Sequence, residues 1–357
     1  MSQVLPPRLL QVLRTVAPGQ PMREGLDRIL QAGMGALVVV GSDPDVLSIC
    51  RGGFLVDAAF SPQRLFELAK MDGAIILDAD GGRIARANVH LVPDPDVATT
   101  ETGTRHRTAE RVARSLGMAV ITVSEERSVV WVYVDDHDHN LEPARAIVFR
   151  ADQALQTLSR YRHRLDDIST NLTALELQDL VTLRDVLAYL QRSEVVRRIS
   201  EEIESDLAQL GTEGRLIRLQ LAEVMAGVDD DRRLVIRDYF REDETWHLTE
   251  ALRALSDLGG DGILDLDSVV SVLHLPADQR DLDTPVQPRG HRVLSRLPRL
   301  PVRTAETIIE RFGTLDAILA TSTDRLVGLD GLDEAVAASL KADLGRLTES
   351  SILDRYS

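Results

Sequence analysis

The chain has 357 residues, of which 44% are hydrophobic, 27% charged and 4% aromatic, and this composition excludes a disordered or fibrous protein. At roughly 150 residues per domain, the length predicts two or three domains, each able to bury its own core. The single cysteine, Cys50, excludes a disulfide framework, and no apolar run approaches the ~18 residues of a membrane-spanning helix. We therefore expect a soluble, intracellular protein with no membrane partner.

The net charge of −16 is spread unevenly along the chain. Most of the acidic excess falls in residues 151–285, whereas residues 286–311 carry six arginines against two glutamates. A local basic stretch of this kind permits contact with nucleic acid even though the protein as a whole is acidic.

Residues 1–150 show the pattern of an α/β domain, with a mixed sheet flanked by helices. Apolar runs predict strands, which we place at 36–40, 73–77, 118–123 and 129–134. Amphipathic spacing predicts helices, which we place near 8–15, 23–32, 61–70 and 106–116. The last two strands are separated by a short polar segment, so we expect a hairpin across residues 124–128.

Residues 151–285 predict an all-α helical spine. Leucines recur there every three or four residues, which is typical of long amphipathic helices with a coiled-coil-like seam, and the helical pattern continues to about residue 241. A polar, proline-containing stretch at 276–290 predicts a linker. Residues 286–357 then predict a third, all-α domain of short helices joined by tight turns.

Asp72 and Gly73 form a first polar cluster, at the start of a predicted buried strand. A glycine permits close approach of the backbone to a ligand, and the aspartate could bind a divalent cation or orient a hydroxyl. A plain turn before the strand is the alternative interpretation of this pair.

A denser cluster is the sequence Glu101-Thr-Gly-Thr-Arg-His-Arg-Thr-Ala-Glu110, at a loop-to-helix junction. Backbone N–H groups at a helix N-terminus favour anions, and arginine forks match phosphate geometry. The candidate phosphate-binding residues are Thr104, Arg105, His106, Arg107 and Thr108. In the predicted hairpin turn, Ser124 would add a hydroxyl, and Glu125 and Glu126 would add carboxylates, although a plain polar turn explains these three nearly as well.

Two other patterns are weaker. Gly33 and Gly35 precede a predicted strand, whereas the glycines of a dinucleotide-binding fingerprint follow one, and the third glycine is absent. Residues 135–140 contain two histidines and three aspartates and have the look of a metal-binding tract. We predict instead that they form a solvated turn after a strand.

The C-terminal pattern resembles tandem helix-hairpin-helix units, because tight turns at 298–301 and 329–332 each precede a helix. Such hairpins present backbone N–H groups and nearby cations to DNA phosphates without reading the base sequence. The candidate DNA-binding residues are Arg296, Arg299, Leu300, Arg303 and Gly331. Asp333 stands where the second hairpin usually ends in glycine, and a small helical packing module is the alternative interpretation.

Three long motifs carry a resemblance to a known family. They are Phe60-Ser-Pro-Gln-Arg-Leu-Phe-Glu-Leu-Ala-Lys-Met-Asp-Gly-Ala-Ile-Ile-Leu77, Asn88-Val-His-Leu-Val-Pro-Asp94 and the cluster that begins at Glu101. These motifs resemble the diadenylate cyclase domain. The order of cyclase domain, acidic helical spine and helix-hairpin-helix tip resembles the bacterial DNA-integrity scanning (DisA) family over essentially the whole chain.

The resemblance implies condensation of two ATP molecules into cyclic di-AMP with release of two pyrophosphates, with Mg²⁺ or Mn²⁺ as cofactor. It assigns Asp72 to metal binding and to activation of the 3′-hydroxyl. It assigns nucleotide contacts to Gly73, Leu91, Ser124 and the run 104–108.

The same resemblance implies a cytoplasmic, nucleoid-associated protein that acts in DNA damage, binds branched or damaged DNA, and assembles as a homo-octamer. It implies a cyclase domain at 1–150, a spine at 151–285 and a DNA-binding domain at 286–357. Two other functions stay open on the sequence. One is a DNA-binding scaffold whose first domain only senses nucleotide, and the other is a nucleotidyltransferase that acts on a nucleic-acid end.

Overall fold

The computed structural model describes residues 5–126, 128–240, 247–273, 281–298, 300–329 and 332–356. The chain divides into two compact units. The first contains Met1–Ala154 and Glu201–Gln220, and the second contains Leu155–Ser200 and Leu221–Ser357. Residues 201–220, which the sequence pattern assigned to the spine, are therefore part of the first unit.

The first unit is built on a mixed sheet of eight strands, counted over the described residues. In chain order the strands are β1 (Ala36–Val40), β2 (Cys50–Arg51), β3 (Phe54–Ala59), β4 (Ala74–Leu77), β5 (Arg83–Leu91), β6 (Ala119–Ser124), β7 (Val129–Val134) and β8 (His137–Asn140). Their order across the sheet is β2-β5-β4-β1-β6-β7-β8, with β3 paired to β5. β1 and β4 are parallel and the other pairs are antiparallel, so the predicted mixed sheet and the β6–β7 hairpin are confirmed.

The strands that the sequence pattern missed are short, polar or irregular. β5 carries Arg86 and Asn88 among its apolar residues, Asn88 adopts a φ of 58°, and the register against β4 shifts along the pair. The prediction of a solvated turn at 135–140 is wrong for His137–Asn140, which pairs with β7 as β8. Only Asp135 and Asp136 form the turn, because backbone pairing with an apolar neighbour strand overrides the polar composition.

Helices cover both faces of this sheet. They are α1 (Pro7–Thr15), α2 (Pro21–Gln31), α3 (Pro44–Ser48), α4 (Pro62–Leu68) and α5 (Thr104–Leu116). The first four begin with proline, whose fixed φ suits the first helical position, and α5 ends at Gly117 in the left-handed conformation. Leu13, Leu26 and Leu65 pack against one face of the sheet, and Val112 packs against the other.

Helices make up most of the rest of the chain, as predicted for the spine. They are α6 (Ala144–Leu177), α7 (Leu183–Leu210), α8 (Arg215–Met225), α9 (Val228–Tyr239), α10 (Leu248–Asp257), α11 (Gly260–Leu264) and α12 (Leu266–Val272). The borders between the two units fall inside α6, α7 and α8. None of the helices in the described ranges is long and apolar enough to cross a membrane.

The C-terminal part consists of the expected short helices followed by a longer one. They are α13 (His291–Ser295), α14 (Val302–Phe312), α15 (Leu315–Ala320), α16 (Thr323–Leu326) and α17 (Glu334–Tyr356). Their shared apolar core includes Leu294, Ile308, Leu315 and Leu326. The all-α prediction for this part is confirmed.

A buried polar cluster joins α13 to the spine. Arg292 and Glu176 are both fully buried and form an ion pair at 2.5 Å. Asp238 on α9 accepts hydrogen bonds from three backbone N–H groups at the start of α13, at 2.7, 2.6 and 2.9 Å. α13 is thus capped by the spine rather than by a side chain of its own.

Candidate active site

A cavity of about 530 Å³ opens at one end of the central strands in the first unit. Strand pairing explains its position: β1 and β4 start at this end, and their antiparallel neighbours β5 and β6 finish there. Residues predicted from separate parts of the sequence meet in its lining. They are Asp72, Gly73, Leu91, Thr104, Arg105, His106, Thr108 and Ser124.

The neighbouring strand leaves no room for a side chain at Gly73. Gly73 adopts a φ of 123°, and a Cβ at this position would lie 2.8 Å from the backbone carbon of Asn88. The sequence pattern predicted close approach of a ligand at this glycine. In the structure the space beside it is filled by the backbone of β5, while Gly73 still lines the cavity.

Gly35 makes room for Arg105. A Cβ on Gly35 would lie 2.2 Å from Nη1 of Arg105, so the guanidinium rests directly on the glycine backbone. In the sequence, Gly35 belongs only to an incomplete dinucleotide fingerprint. Its role becomes visible only when α5 is packed beside the start of β1.

Helix α5 turns its N-terminus toward the cavity. Its N-cap is Gly103, which provides no side-chain cap, and the first N–H groups of a helix have no partner within the helix. The Thr108 hydroxyl donates to the Thr104 carbonyl oxygen at 2.9 Å. Arg107 is exposed and lies outside the cavity lining, because the helical period places it nearly opposite Arg105.

His106 is supported from behind by a chain of hydrogen bonds. Its Nδ1 lies 2.8 Å from the Tyr133 hydroxyl, which donates to Oε1 of Glu101 at 2.7 Å. Thr122 Oγ1 lies 3.2 Å from the same Nδ1. Tyr133 was not predicted from the sequence, because it lies in an apolar strand and reaches His106 only through the packing of α5 on the sheet.

Glu110 anchors the loop that precedes α5. This carboxylate accepts hydrogen bonds from the Thr99 hydroxyl and from the backbone N–H of Thr100, and it pairs with Arg114 at 3.0 Å. Burial opposes its ionisation, but the bond from Thr99 and the charge of Arg114 together hold the pKa of Glu110 below its usual value. The ionised carboxylate therefore fixes the loop that carries Glu101.

Three carboxylates, those of Asp72, Glu125 and Glu126, line the cavity. Carboxylate oxygens suit Mg²⁺, which is usually held by one or two protein carboxylates together with substrate phosphates. In the part of the chain that the structure describes, no group of three or more His, Cys, Asp or Glu side chains is placed to hold a metal ion. The oxygen donors of these carboxylates are compatible with a magnesium ion that takes most of its ligands from other molecules.

The predicted DNA-binding residues differ in their surroundings. Arg303 is exposed at the start of α14, and Leu300 is half-buried just before it. Arg296 is tied to the spine, where it donates to two hydroxyl groups of α6, both at 2.8 Å. Arg299 and Gly331 lie outside the described residues.

Family models match most of the chain. Residues 23–137 match the nucleotide-binding domain of the DisA bacterial checkpoint controller, and residues 141–282 match the linker region of that controller. The first match contains the whole lining of the cavity.

Curated relatives are similar over nearly the full length. The DNA integrity scanning protein DisA of Acidothermus cellulolyticus is 48% identical over 352 residues, which cover 98% of this chain and 95% of that protein. The proteins of the same name from Streptomyces coelicolor and Kineococcus radiotolerans are 47% and 49% identical and cover 96% and 98% of this chain. They are themselves covered over 93% and 97% of their lengths.

Proposed function

This chain belongs to the DisA family and is a diadenylate cyclase, and from that premise we propose that it condenses two ATP molecules into cyclic di-AMP with release of two pyrophosphates. We further propose that its C-terminal helices bind branched or damaged DNA and couple DNA structure to the cyclase. The protein would then act in the bacterial cytoplasm, at the nucleoid.

The observation that carries the proposal is the convergence of chemically complementary groups on one cavity. Asp72 contributes a carboxylate from one side, while Arg105 and His106 contribute cationic or N–H donor groups from another. The open N-terminus of α5 adds backbone N–H groups that favour anions. Such a cavity suits a triphosphate, with the backbone of Leu91 as a contact for the base.

The reaction needs charge stabilisation and alignment. Attack of a 3′-hydroxyl on an α-phosphate places negative charge on nonbridging oxygens and on the departing pyrophosphate. Arg105 and the first turn of α5 would offset that charge. Asp72 would hold a divalent cation, which when bound neutralises phosphate charge, and would orient the attacking hydroxyl.

A cyclic product requires two nucleotides, each acting once as nucleophile and once as electrophile. One chain provides a single set of the residues assigned here, with one Asp72 and one Arg105. We therefore propose that the cavities of two chains face each other within a homo-oligomer, an octamer in the family's assembly. Arg107, which is exposed outside the cavity lining, would then contact the nucleotide of the facing chain.

DNA contact is proposed for the turn before α14. Arg303 is exposed there, and the first turn of the helix adds backbone N–H groups, so both can meet phosphates without reading bases. Arg299 and Gly331 are retained as predicted contacts, while Arg296 would contribute mainly by fixing this region to the spine.

The direct experiment is incubation of the purified full chain with ATP and either Mn²⁺ or Mg²⁺, with products identified by mass. We expect cyclic di-AMP and pyrophosphate. ATP binding without turnover would support the nucleotide-sensing scaffold instead, and adenylate transfer to added DNA would support a nucleotidyltransferase that acts on nucleic-acid ends.

A further inference from the structure

A path of hydrogen bonds runs from His106 through Tyr133 to Glu101, and we call these three residues the relay. Counting the available protons shows which group donates in each bond. A phenol has one proton to donate, and a carboxylate can only accept. Tyr133 donates its proton to Glu101 at 2.7 Å, so its oxygen can only accept from Nδ1 of His106, 2.8 Å away. Nδ1 of His106 therefore carries a proton.

Burial of the residues around Nδ1 of His106 maintains this arrangement of protons. Tyr133 is 1% exposed and Thr122 is fully buried. Burial and the hydrogen bond to Glu101 raise the pKa of Tyr133 far above its usual value, so the phenol keeps its proton at physiological pH. Thr122 Oγ1, 3.2 Å from Nδ1, offers a second acceptor for the same N–H.

The other edge of the imidazole ring lies on the cavity side. A Cβ on Gly103 would lie 3.6 Å from Cδ2 of His106, the carbon next to Nε2, and both residues line the cavity. With a proton fixed on Nδ1, Nε2 is the ring nitrogen whose protonation can change. The negative charge of Glu101, at the far end of this path of hydrogen bonds, interacts favourably with positive charge on the ring.

We propose that Glu101 and Tyr133 are positioning residues that hold the proton on Nδ1 of His106 and so maintain its Nε2 edge as a cationic donor toward the phosphates of bound nucleotide. This inference rests on the proposed function of the cavity. It adds to the site two residues that do not line the cavity. Tyr133 holds the proton on Nδ1 of His106, and Glu101 supplies the negative charge.

The surroundings single out Glu101 among the nearby carboxylates. Charged groups around the relay and the cavity are Asp138, Glu110, Arg105, Asp72, Glu125 and Glu126. Glu110 is engaged by Thr99 and Arg114. Arg105 opposes a positive charge on the adjacent ring. Among the described contacts, only Glu101 reaches Nδ1 through a continuous path of hydrogen bonds, so its charge acts most directly on the imidazole.

Two nearly isosteric variants of the full chain test the relay: Tyr133→Phe, which breaks the path, and Glu101→Gln, which removes the charge. The probe is a nonreactive ATP analogue with Mg²⁺, titrated from about pH 6 to pH 9. We expect its affinity near neutral pH to fall roughly tenfold in each variant, the loss of a contact to a charged group. The imidazolium is less stable without the relay, so the pH above which binding weakens should move lower.

A second set of variants, built on His106→Gln, distinguishes positioning of His106 by Glu101 and Tyr133 from a merely structural role of these two residues. In His106→Gln the relay has no imidazole to act on, so adding Tyr133→Phe or Glu101→Gln should cost almost nothing further. Tyr161→Phe is the matched control, because it also removes one phenolic hydroxyl but lies on α6, outside the cavity lining. Its analogue affinity and pH profile should match those of the wild type.

If the losses of analogue affinity in the double variants are additive, the relay proposal is overturned. An unchanged pH profile of binding in both single variants would also overturn it. Cyclic di-AMP production by the wild type is measured in parallel. If the wild type binds the analogue but makes no cyclic product, the proposed function fails while the binding titration still decides the relay. Failure of the wild type to bind the analogue would overturn both.

Discussion

Gly35 and Gly73 are both glycines because another group occupies the place of a side chain, but the occupants differ. At Gly73 the occupant is the backbone of Asn88, which cannot move without disturbing β5. At Gly35 it is the end of the Arg105 side chain, which is flexible. A substitution at Gly73 therefore threatens the sheet, whereas one at Gly35 acts on the site alone.

Gly35→Ala should preserve the fold and displace the Arg105 guanidinium from the cavity. Gly35 is not among the glycines with positive φ, so alanine fits its backbone conformation. We expect nucleotide affinity to fall about tenfold, since a charge-assisted contact to phosphate contributes roughly 1.5–3 kcal/mol. Titration with a nonreactive ATP analogue measures the loss.

The control for this prediction is Gly345→Ala, where a new Cβ meets no atom within 4 Å. In an Arg105→Ala background, Gly35→Ala should have no further effect on affinity. A full additional loss in that background would show that Gly35 acts independently of Arg105.

Asp72→Asn should keep the fold, because the change is nearly isosteric, and should lower cyclase activity by at least ~10²-fold. The amide can neither neutralise a divalent cation nor accept the proton of an attacking hydroxyl. Product formation at saturating ATP and metal, together with a thermal denaturation curve, checks both statements. Turnover close to that of the wild type by a folded Asp72→Asn protein would remove Asp72 from the chemistry.

Helix α13 depends on the spine for its N-terminal cap and for the counter-charge of Arg292. Arg292 has no water-exposed surface, so its charge is compensated only by buried partners such as Glu176. Asp238 supplies the cap from α9. A truncation after residue 285 would remove α13 and leave these carboxylates buried without their partners.

Glu176→Gln should destabilise the second unit by about 3–5 kcal/mol, because it removes the charged partner of the buried guanidinium of Arg292. The matched control is Asp257→Asn in the ion pair with Arg253, whose side chains are 74% and 83% exposed. Exposed pairs of this kind contribute less than about 1 kcal/mol. Urea denaturation followed by circular dichroism compares the two, and similar losses would contradict the assigned role of the buried pair.

Because DNA binding and catalysis are proposed for different parts of the chain, we expect them to respond to different substitutions. Because truncation would disturb the spine, a point variant is the better test. Arg303→Ala should weaken DNA binding, reduce its salt dependence by about one phosphate contact and leave basal cyclase activity unchanged. Arg311→Ala, exposed at the far end of the same helix α14, is the control.

Binding measured at several salt concentrations on unrelated DNA sequences separates a phosphate contact from base reading. Equal losses for Arg303→Ala and Arg311→Ala would indicate a diffuse basic surface rather than a hairpin contact. Unchanged binding for both would move the DNA site away from α14.

Mixing of chains tests whether one reaction needs two protomers. When wild-type chains exchange with an excess of Asp72→Asn chains, a mixed pair could form one phosphodiester bond but not the second. Cyclic product should therefore fall faster than the fraction of wild-type chains, with linear intermediate accumulating. Once exchange is verified by mass spectrometry, activity proportional to the wild-type fraction would rule out facing cavities.

The local features of this protein follow from patterns within single segments of its sequence. The apolar runs of β1, β4, β6 and β7 and the amphipathic spacing of α1, α2, α4 and α5 predicted the α/β class, because periodicity is set within each segment. Leu91 was recognised only through the family resemblance, whereas the polar clusters around Asp72 and Arg105 were recognised for the same local reason. Their chemistry is dense along the chain and needs no knowledge of packing.

The contacts between distant groups, in contrast, depend on how the strands and helices pack. Tyr133 lies in an apolar strand and Gly35 in a weak motif, and both acquire roles when α5 packs on the sheet beside them. Arg296 belongs to a basic run in the sequence but donates to α6 in the structure. Strand register and helix packing join residues that are far apart in the chain, and no pattern within a single segment contains that information.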